Sequence, residues 1–406
     1  MSARRTVLKY YLYRPTTYPG FTWPILTLFL LAREFSFTAI ALGGTAMAVA
    51  RLVGELPSGV LADRVGRRAT CIAAALLFLV GQLGYAFVHT VPALVAVGVV
   101  TGLAEATQSG TLDAYLYDVL AEAGIEDRFT HVRGRGEAVR RWGGVLMLLA
   151  SGPLYVLDHT YPFYAMALVN VASAGILATF PRATPREDDD TFDLREAVGT
   201  LRGQLLAPRL RGVVLFIALA SAMVRAANGY IQPIAVETLD PYLAVVPVAI
   251  PEEATMGVLY AAFTAVAAVT SDRADWLASR LGTERTILGL PAAEAGALVV
   301  AAVAPVAAIP AFFVMRALGP MHVTVRLQYL NDRVDSVGRA TVLSAASLCI
   351  SVGRIPLVLG SGVVADAYDP FVAVGAVGAA FLLGAVATLL VAPPFPDPGT
   401  TAAPAD

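Results

Sequence analysis

The stretch of sequence that decides the fold is residues 54–68, which read Gly-Glu-Leu-Pro-Ser-Gly-Val-Leu-Ala-Asp-Arg-Val-Gly-Arg-Arg. Its second half is crowded with charge, whereas the runs on either side, 36–57 and 68–88, are apolar. A helix of about 20 apolar residues spans the hydrocarbon core of a bilayer. The stretch is therefore expected to be a short polar loop that joins two membrane-spanning helices.

The composition of the whole chain indicates the same environment. Hydrophobic residues make up 57% of the 406 residues and charged residues 15%, and the mean hydropathy is +0.67. An ordinary soluble chain holds about 45–50% apolar and about 25% charged residues. A soluble fold with the composition of this chain could not cover its surface with polar groups. We expect an integral membrane protein. The formal charge of −2 and the lack of a basic tract argue against nucleic acid as a partner.

Lysine usage excludes several classes of protein. Lys9 is the only lysine, so the sequence has no Gly-Lys-Ser/Thr phosphate loop and does not encode a P-loop ATPase. Lys9 also precedes the first apolar run, which argues against a buried Schiff base with a cofactor. The four histidines are scattered without the spacing of metal ligands. We expect no cofactor, no metal site and no enzymatic activity.

Twelve apolar runs are long enough to cross a membrane as helices. The first is interrupted by Arg14 and three prolines, and because no small-residue cleavage site follows it we expect an uncleaved anchor. The predicted spans are 11–32, 36–57, 68–88, 91–119, 138–157, 161–181, 211–236, 254–271, 284–304, 307–328, 340–364 and 369–391. The predicted fold class is all-α, a polytopic membrane protein.

Basic residues lie on one side of this twelve-span topology. Arginines crowd the amino terminus and the connections after even-numbered spans, whereas the opposite connections hold acidic residues and a single basic residue, Arg33. Short loops rich in arginine and lysine stay in the cytoplasm. The asymmetry therefore predicts an even number of spans in the cell membrane, with both termini cytoplasmic.

The twelve spans divide into two sets of six. Residues 61–70, Leu-Ala-Asp-Arg-Val-Gly-Arg-Arg-Ala-Thr, match residues 277–286, Leu-Ala-Ser-Arg-Leu-Gly-Thr-Glu-Arg-Thr, at five positions without a gap. Both stretches follow the second span of their half in the same orientation, as parallel repeats require. The predicted domains are a six-helix bundle at 1–181, a cytoplasmic linker at 182–210, a second six-helix bundle at 211–392 and a disordered tail at 393–406.

The loop between spans two and three resembles the signature of the major facilitator superfamily. That signature is a glycine, two residues, an alanine, an aspartate, an arginine, one residue, a glycine and two basic residues, and residues 59–68 match it. Residues 109–118, which begin with Ser109-Gly110, are similar to the fourth span of a prokaryotic branch of that superfamily. The resemblance implies two six-helix bundles that rock about a central transport site.

The loop residues also have physical roles of their own. Gly59 permits close approach of helices, and Gly66 suits a tight turn. Asp63 can accept hydrogen bonds from neighbouring arginines or a helix amino terminus, and such a latch could open and close as the bundles rock. Alternatively, the arginines only set the topology. The candidate gating residues are Gly59, Asp63, Arg64, Gly66, Arg67, Arg68 and Asp118.

Two features of the family are missing from the sequence. Gly98 stands where many proton-coupled members carry an arginine in the fourth span. Gly152-Pro153 is all that the fifth span offers of the repeated glycines of the antiporter signature. The resemblance therefore does not imply a direction of transport.

Polar side chains recur on one face of predicted spans one, four, seven and ten. Ionisable groups inside a membrane are costly and usually face a bundle interior or a cavity, and in the family fold these four spans line the central cavity. Hydrogen bonding between helices is the alternative for each stripe. The candidate cavity residues are Arg14, Glu105, Gln108, Asp113, Arg225, Asn228, Gln232 and Arg316.

Glu105 lies near the middle of the fourth span and is our candidate for a titrating or cation-binding group. A static ion pair with an arginine on a facing helix is the alternative. Arg225 and Arg316 could recognise an anionic group of the substrate or neutralise Glu105. Arg14 is expected to extend to the cytoplasmic surface.

The remaining charges within the spans predict structural contacts. Arg51 and Glu55 are four residues apart on the second span and are expected to pair. Glu294 and Arg354 lie in the ninth and eleventh spans, and their spacing identifies no partner for either.

The sequence favours a secondary transporter of a small organic solute that works by alternating access. Proton-coupled export is the first hypothesis, and import or facilitated uptake is the second. A membrane-embedded enzyme or receptor would need a catalytic cluster that the sequence does not display, and a non-transporting scaffold is the third class. The expected partners are a small-molecule substrate, protons and the lipid bilayer, and the protein is expected to be a monomer.

Overall fold

The computed structural model describes residues 3–181, 208–243, 251–333 and 347–395, and the regular elements in these ranges are all helical. The helices are α1 (Ala3–Tyr13), α2 (Leu26–Ala32), α3 (Phe37–Val65), α4 (Arg67–Phe87), α5 (Val91–Gln108), α6 (Thr111–Glu122), α7 (Phe129–Leu157), α8 (Tyr161–Ala178), α9 (Pro208–Asn228), α10 (Ile231–Leu243), α11 (Glu252–Ser271), α12 (Ala274–Leu281), α13 (Thr283–Val303), α14 (Ala308–Arg333), α15 (Ile355–Ala367) and α16 (Pro370–Val391). The predicted all-α fold class is confirmed.

Within the described ranges, ten helical segments are long and apolar enough to cross a membrane. They coincide with ten of the twelve predicted spans. The first predicted span, 11–32, is divided into the end of α1, a 3₁₀ turn and α2, because prolines interrupt backbone hydrogen bonding there. The fifth, 138–157, lies in α7, whose amino-terminal half is rich in arginine. The count of twelve stays a prediction.

The chain forms two compact units. The first unit contains Met1–Asp189 and Leu239–Ala262, and the second contains Asp190–Thr238 and Phe263–Asp406. Most of the predicted linker at 182–210 and most of the predicted tail at 393–406 lie outside the described residues. The predicted domain boundaries therefore stay predictions.

The two copies of the loop repeat make the same turn. Gly66, between α3 and α4, has φ 95° and ψ 139°, and Gly282, between α12 and α13, has φ 87° and ψ 144°. Each glycine donates its N–H to the carbonyl of an alanine four residues earlier, Ala62 at 3.0 Å and Ala278 at 2.9 Å. A positive φ favours glycine because it has no Cβ. The predicted tight turn at Gly66 is confirmed, and the repeat extends to backbone geometry.

Two glycines on α5 allow this helix to lie directly against α3. A Cβ on Gly98 would overlap the carbonyl oxygen of Gly43, and a Cβ on Gly102 would overlap that of Met47. Small residues at four-residue spacing let helix backbones approach closely in a membrane. An arginine at position 98 would not fit this contact, which explains why the sequence has glycine there.

Arginine side chains close the carboxyl ends of two helices in the first unit. Arg33 donates two hydrogen bonds of 2.7 Å to carbonyls at the end of α4. Arg68 donates to the Leu177 carbonyl at 3.1 Å and to the Ala178 carbonyl at the end of α8. A cation is favourable at the negative end of a helix dipole. Arg68, a predicted gating residue, thus joins the start of α4 to the end of α8.

Candidate functional site

The loop signature contributes an ion pair between α4 and α6. Arg67 Nη1 donates to Asp118 Oδ2 at 2.6 Å, and the two side chains are 18% and 8% exposed. Charge-assisted hydrogen bonds of this length are among the strong ones in proteins. Two of the predicted gating residues, Arg67 and Asp118, are therefore brought together within the first unit.

A second carboxylate of α6 forms a more exposed pair. Arg133 Nε, on α7, donates to Asp113 Oδ2 at 2.8 Å, and the side chains are 55% and 41% exposed. The hydrogen bond to Asp113 and its negative charge raise the pKa of Arg133 further above neutrality. Ion pairs this exposed contribute between about 0 and 1 kcal/mol.

Replacing Asp118 with asparagine is expected to lower the free energy of unfolding by about 3 kcal/mol, because Arg67 then stays half-buried without its counter-charge. Asp113→Asn on the same helix is the matched control, and we expect a loss below about 1 kcal/mol there. Denaturant unfolding of the purified protein in detergent measures both. Equal losses for the two variants would contradict the difference in burial.

Other residues of the loop signature differ from expectation. Arg67, one of the alternative donors considered for Asp63, pairs with Asp118, and both Asp63 and Arg64 are exposed. The close helix approach predicted at Gly59 is wrong for the described residues, since a Cβ there would meet no atom within 4 Å. Gly59 is exposed and does not face a neighbouring helix. Spacing along the sequence did not reveal this.

A cluster of charges joins the first 3₁₀ turn to α7. Arg14 Nη2 donates to Glu137 Oε2 at 2.5 Å, and Glu137 also accepts from Arg140 at 2.8 and 2.9 Å and from Arg141 at 3.3 Å. Arg14 is only 13% exposed, so it does not extend to the surface as expected. Burial opposes ionisation of Glu137, but Arg140 and Arg14 outweigh it and lower the pKa of Glu137 to about 2.

Sequence reasoning missed Glu137. The available signal was that Glu137 is the single acidic residue between Glu126–Asp127 and Asp158, in a segment that carries five arginines from Arg128 to Arg141. It lies one residue before the predicted fifth span. A single carboxylate among several arginines is expected to accept hydrogen bonds from more than one of them.

Glu105 contacts an arginine on the facing helix. Arg51 Nη1, on α3, lies 3.5 Å from Glu105 Oε2, and Arg51 Nε lies 3.6 Å from Glu55 Oε1. The predicted Arg51–Glu55 pair is confirmed. Exposed fractions of 50% for Arg51 and 30% for Glu105 make their contact a weak one. One helical turn further along α5, Gln108 Nε2 lies 3.5 Å from the Tyr13 hydroxyl.

The predicted stripe on the seventh span divides into different environments. Arg225 is exposed, Asn228 is partly buried and donates to the Val224 carbonyl at 2.7 Å, and Gln232 is 3% exposed. The guanidinium of Arg316, on α14, lies 5.6 Å from the centre of the Phe263 ring, a cation–π geometry.

A polar cluster that sequence reasoning missed lies in the second unit. Glu294, whose partner the spacing did not identify, is 1% exposed on α13, and His322 is 4% exposed on α14. Arg326, also on α14, donates to Ser221 Oγ on α9 at 2.6 Å. Residues on three helices form this cluster, so spacing within any one of them could not reveal it.

Comparison with known proteins agrees with this fold. The sequence pattern of the Major Facilitator Superfamily matches residues 19–355. The chain belongs to this superfamily. The match covers most of the described part of both units, and the loop signature at residues 59–68 lies within it. Members are transporters, and this chain is accordingly an integral membrane protein of a transporter family.

Curated relatives match only limited parts of this chain. An uncharacterized MFS-type transporter, YxaM of Bacillus subtilis, is 25% identical over 150 residues, which is 37% of each chain. The arabinose-proton symporter of Escherichia coli is 36% identical over 78 residues, 19% of this chain and 16% of the symporter. The alignments thus span about a third and about a sixth of these relatives.

Solved structures of other transporters have the same fold over nearly the full chain. Two crystal structures of the nucleoside transporter NupG superpose with TM-scores of 0.82 and 0.76, at 13% identity, over 96% of this chain and 99% of theirs. The D-xylose-proton symporter gives a TM-score of 0.65 at 16% identity, over 97% of both chains. At such identities the likeness establishes the fold.

Proposed function

We propose that this chain is a secondary active transporter that moves a small organic solute across the cell membrane by alternating access, with protons as the coupling ion. The observation that carries the proposal is the superfamily match over residues 19–355. The sequence contains no phosphate-binding loop for ATP, so an ion gradient or the solute gradient supplies the energy. The protein acts as a monomer with both termini in the cytoplasm.

Export of the solute in exchange for protons is the first direction that we propose. Uptake together with protons is the second candidate, and a specific observation favours it. The segment that is 36% identical over 78 residues belongs to an arabinose-proton symporter, and the folds that superpose include a D-xylose-proton symporter and a nucleoside transporter. Pentoses and nucleosides are therefore the first solutes to test.

Glu105 is the coupling group that we propose for the first unit. Its partner Arg51 is shared with Glu55, and both contacts, at 3.5 and 3.6 Å, are long and partly exposed. A pair that contributes about 0 to 1 kcal/mol holds its carboxylate only weakly. A proton can therefore displace Arg51 from Glu105 at small cost, unlike at the buried Arg67–Asp118 pair.

The test uses the full chain reconstituted in proteoliposomes, with labelled pentoses, nucleosides, organic anions and cationic drugs, and with and without a pH gradient. We expect Glu105→Gln to reduce accumulation driven by the gradient about tenfold, the effect of losing about 1.4 kcal/mol. Solute exchange at equal pH should persist, because it requires no net proton movement. The sign of the gradient that drives accumulation distinguishes export from uptake.

Glu55→Gln is the matched control, since Glu55 contacts the same arginine at nearly the same distance. We expect its gradient-driven accumulation to stay within about twofold of the wild type, as for other exposed charges. Equal losses in the two variants would refute a specific role for Glu105. Flux that the pH gradient does not affect would refute proton coupling, and binding without flux would favour the scaffold hypothesis.

A further inference from the structure

One edge of the Arg14 guanidinium group is only partly hydrogen-bonded. Its Nη2 donates to Glu137 Oε2, whereas its Nε is buried and has no hydrogen-bond partner among the described residues. In a guanidinium group the Nε–H and one Nη2–H point the same way and match two oxygens of a carboxylate or phosphate group. Arg14 therefore presents a bidentate donor to which Glu137 supplies a single oxygen.

Glu137 supplies only one oxygen to Arg14 because Arg140 binds both of its oxygens. Arg140 Nε donates to Glu137 Oε2 at 2.9 Å, Arg140 Nη2 donates to Oε1 at 2.8 Å, and Arg141 Nε donates to Oε1 at 3.3 Å. Three guanidinium groups, each with one positive charge, thus share one carboxylate with one negative charge. The difference is an excess of two positive charges.

A second donor without a partner lies beside Arg14. Tyr10 is 1% exposed, and its hydroxyl group has no hydrogen-bond partner in the part of the chain that the structure describes. The Arg14 guanidinium lies 5.8 Å from the centre of the Tyr10 ring. A Cβ on Gly136 would lie 3.2 Å from the Tyr10 hydroxyl oxygen, so this hydroxyl lies against α7 next to Glu137. Buried polar groups are almost always hydrogen-bonded, and two neighbouring exceptions need an explanation.

The other charges near Tyr10 balance each other. Asp113 and Arg133 act electrostatically on the Tyr10 hydroxyl, as do Arg14 and Glu137. Arg133 donates to the Asp113 carboxylate at 2.8 Å, so these two residues form a neutral pair. The ion pairs among the described residues therefore leave the excess of positive charge around Glu137 in place.

We propose that Tyr10, Arg14, Glu137, Arg140 and Arg141 form a binding site for an oxyanion, that is, a phosphate or carboxylate group. The anion accepts hydrogen bonds from Nε and Nη2 of Arg14 and from the Tyr10 hydroxyl, while Glu137 keeps its bidentate pairing with Arg140. It enters through the exposed side of the cluster, where the side chains of Glu137 and Arg141 are 31% and 56% exposed. A phosphate group, with about two negative charges at neutral pH, balances the excess.

This inference goes beyond the proposed function, because the oxyanion site uses none of the residues proposed for proton coupling. Binding of the anion is measured without a pH gradient and without flux. A negative result in the binding test leaves the proposed transport standing, and flux that does not depend on the pH gradient leaves the oxyanion site standing.

Binding of inorganic phosphate to the purified full chain in neutral detergent tests the proposal, by titration calorimetry and by the midpoint of thermal unfolding. Potassium chloride at equal ionic strength is the reference for screening. We expect Tyr10→Phe to weaken phosphate binding about tenfold or more, as for the loss of a hydrogen bond to a charged group. Tyr11→Phe is the matched control, since the Tyr11 ring faces Arg135, and it should bind phosphate like the wild type.

Replacing Glu137 with glutamine gives a change in the opposite direction. Glu137→Gln should bind phosphate about tenfold more tightly or better, because a like charge no longer competes for Arg14. Phosphate should also restore part of the stability that this substitution removes. Glu126→Gln removes an exposed negative charge from the same unit and should change phosphate binding by less than about twofold.

The same titration in lipid nanodiscs identifies the source of the oxyanion. Phosphate binding that persists when phosphatidylglycerol replaces phosphatidylcholine assigns a free solute, and binding that phosphatidylglycerol removes assigns a lipid head group. Equal stabilisation by chloride and phosphate would overturn the proposal. Phosphate binding that is unchanged in Tyr10→Phe, or weakened in a folded Glu137→Gln, would do the same. If Glu137→Gln does not fold, Tyr10→Phe decides the question.

Discussion

Replacing Gly102 with valine is expected to lower the free energy of unfolding by about 3 kcal/mol or more, near the upper end of overpacking effects. The first added atom would already overlap the carbonyl oxygen of Met47 on α3. A backbone atom inside a helix cannot rotate away, so α5 and α3 would have to separate along their contact. Denaturant unfolding in detergent measures the loss, and impaired insertion during expression is the expected cellular result.

Gly175→Val is the matched control for Gly102→Val. Gly175 also lies within a membrane-spanning helix of the first unit, α8, but a Cβ there would meet no atom within 4 Å. We expect a change below about 0.5 kcal/mol, because the added side chain extends into open space. If Gly175→Val were as damaging as Gly102→Val, the cause would be the loss of glycine itself and not the close contact between helices.

Replacing Glu137 with glutamine is expected to cost about 3 kcal/mol of unfolding free energy. Three arginines donate to the Glu137 carboxylate, and Arg14, the most buried of them, would keep its charge at 13% exposure without a counter-ion. The estimate stays at the low end of the range for buried pairs because Glu137 itself is 31% exposed. The double variant Arg14→Gln/Glu137→Gln should recover part of the loss.

The stabilisation by Glu137 should depend on pH. Its pKa is lowered from 4.5 to about 2 in the folded protein. A carboxyl with a lowered folded pKa contributes its full stability above the unfolded value and loses it as the pH falls. The gap between the wild type and Glu137→Gln should thus be constant above pH 4.5 and shrink toward pH 2. Glu126→Gln, an exposed control, should show no such gap, and a pH-independent gap for Glu137→Gln would contradict the ion-pair mechanism.

The missing family arginine at position 98 has a structural explanation that sequence comparison did not supply. The resemblance suggested that a coupling feature was absent. The structure places Gly98 in backbone contact with Gly43, and Gly102 continues that contact. Glu105 and Arg51 lie on the same two helices, and their contact of 3.5 Å is made across this close approach. The glycines therefore explain both the missing arginine and the position of the proposed coupling group.

Side-chain partners were much harder to predict than spans. Arg51–Glu55 was predicted correctly because both residues lie on one helix, four residues apart, where geometry is set by the helix itself. Arg14 and Glu137 are 123 residues apart in sequence. Arg67 was only one of several possible donors to Asp63, and the pattern did not identify its partner Asp118. Spacing along one helix does not specify which other helix faces it, so these partners could not be read from the pattern.

The sequence by itself determined that this protein is a helical membrane protein with a repeated loop, because span length, arginine distribution and glycine at a positive φ depend on the solvent and on local backbone sterics. The tertiary structure decided which charges meet. The pairs Arg14–Glu137 and Arg67–Asp118 depend on how segments distant in sequence pack together. Burial then sets the energy of each charge, and burial is a property of the packed helices and not of any one of them.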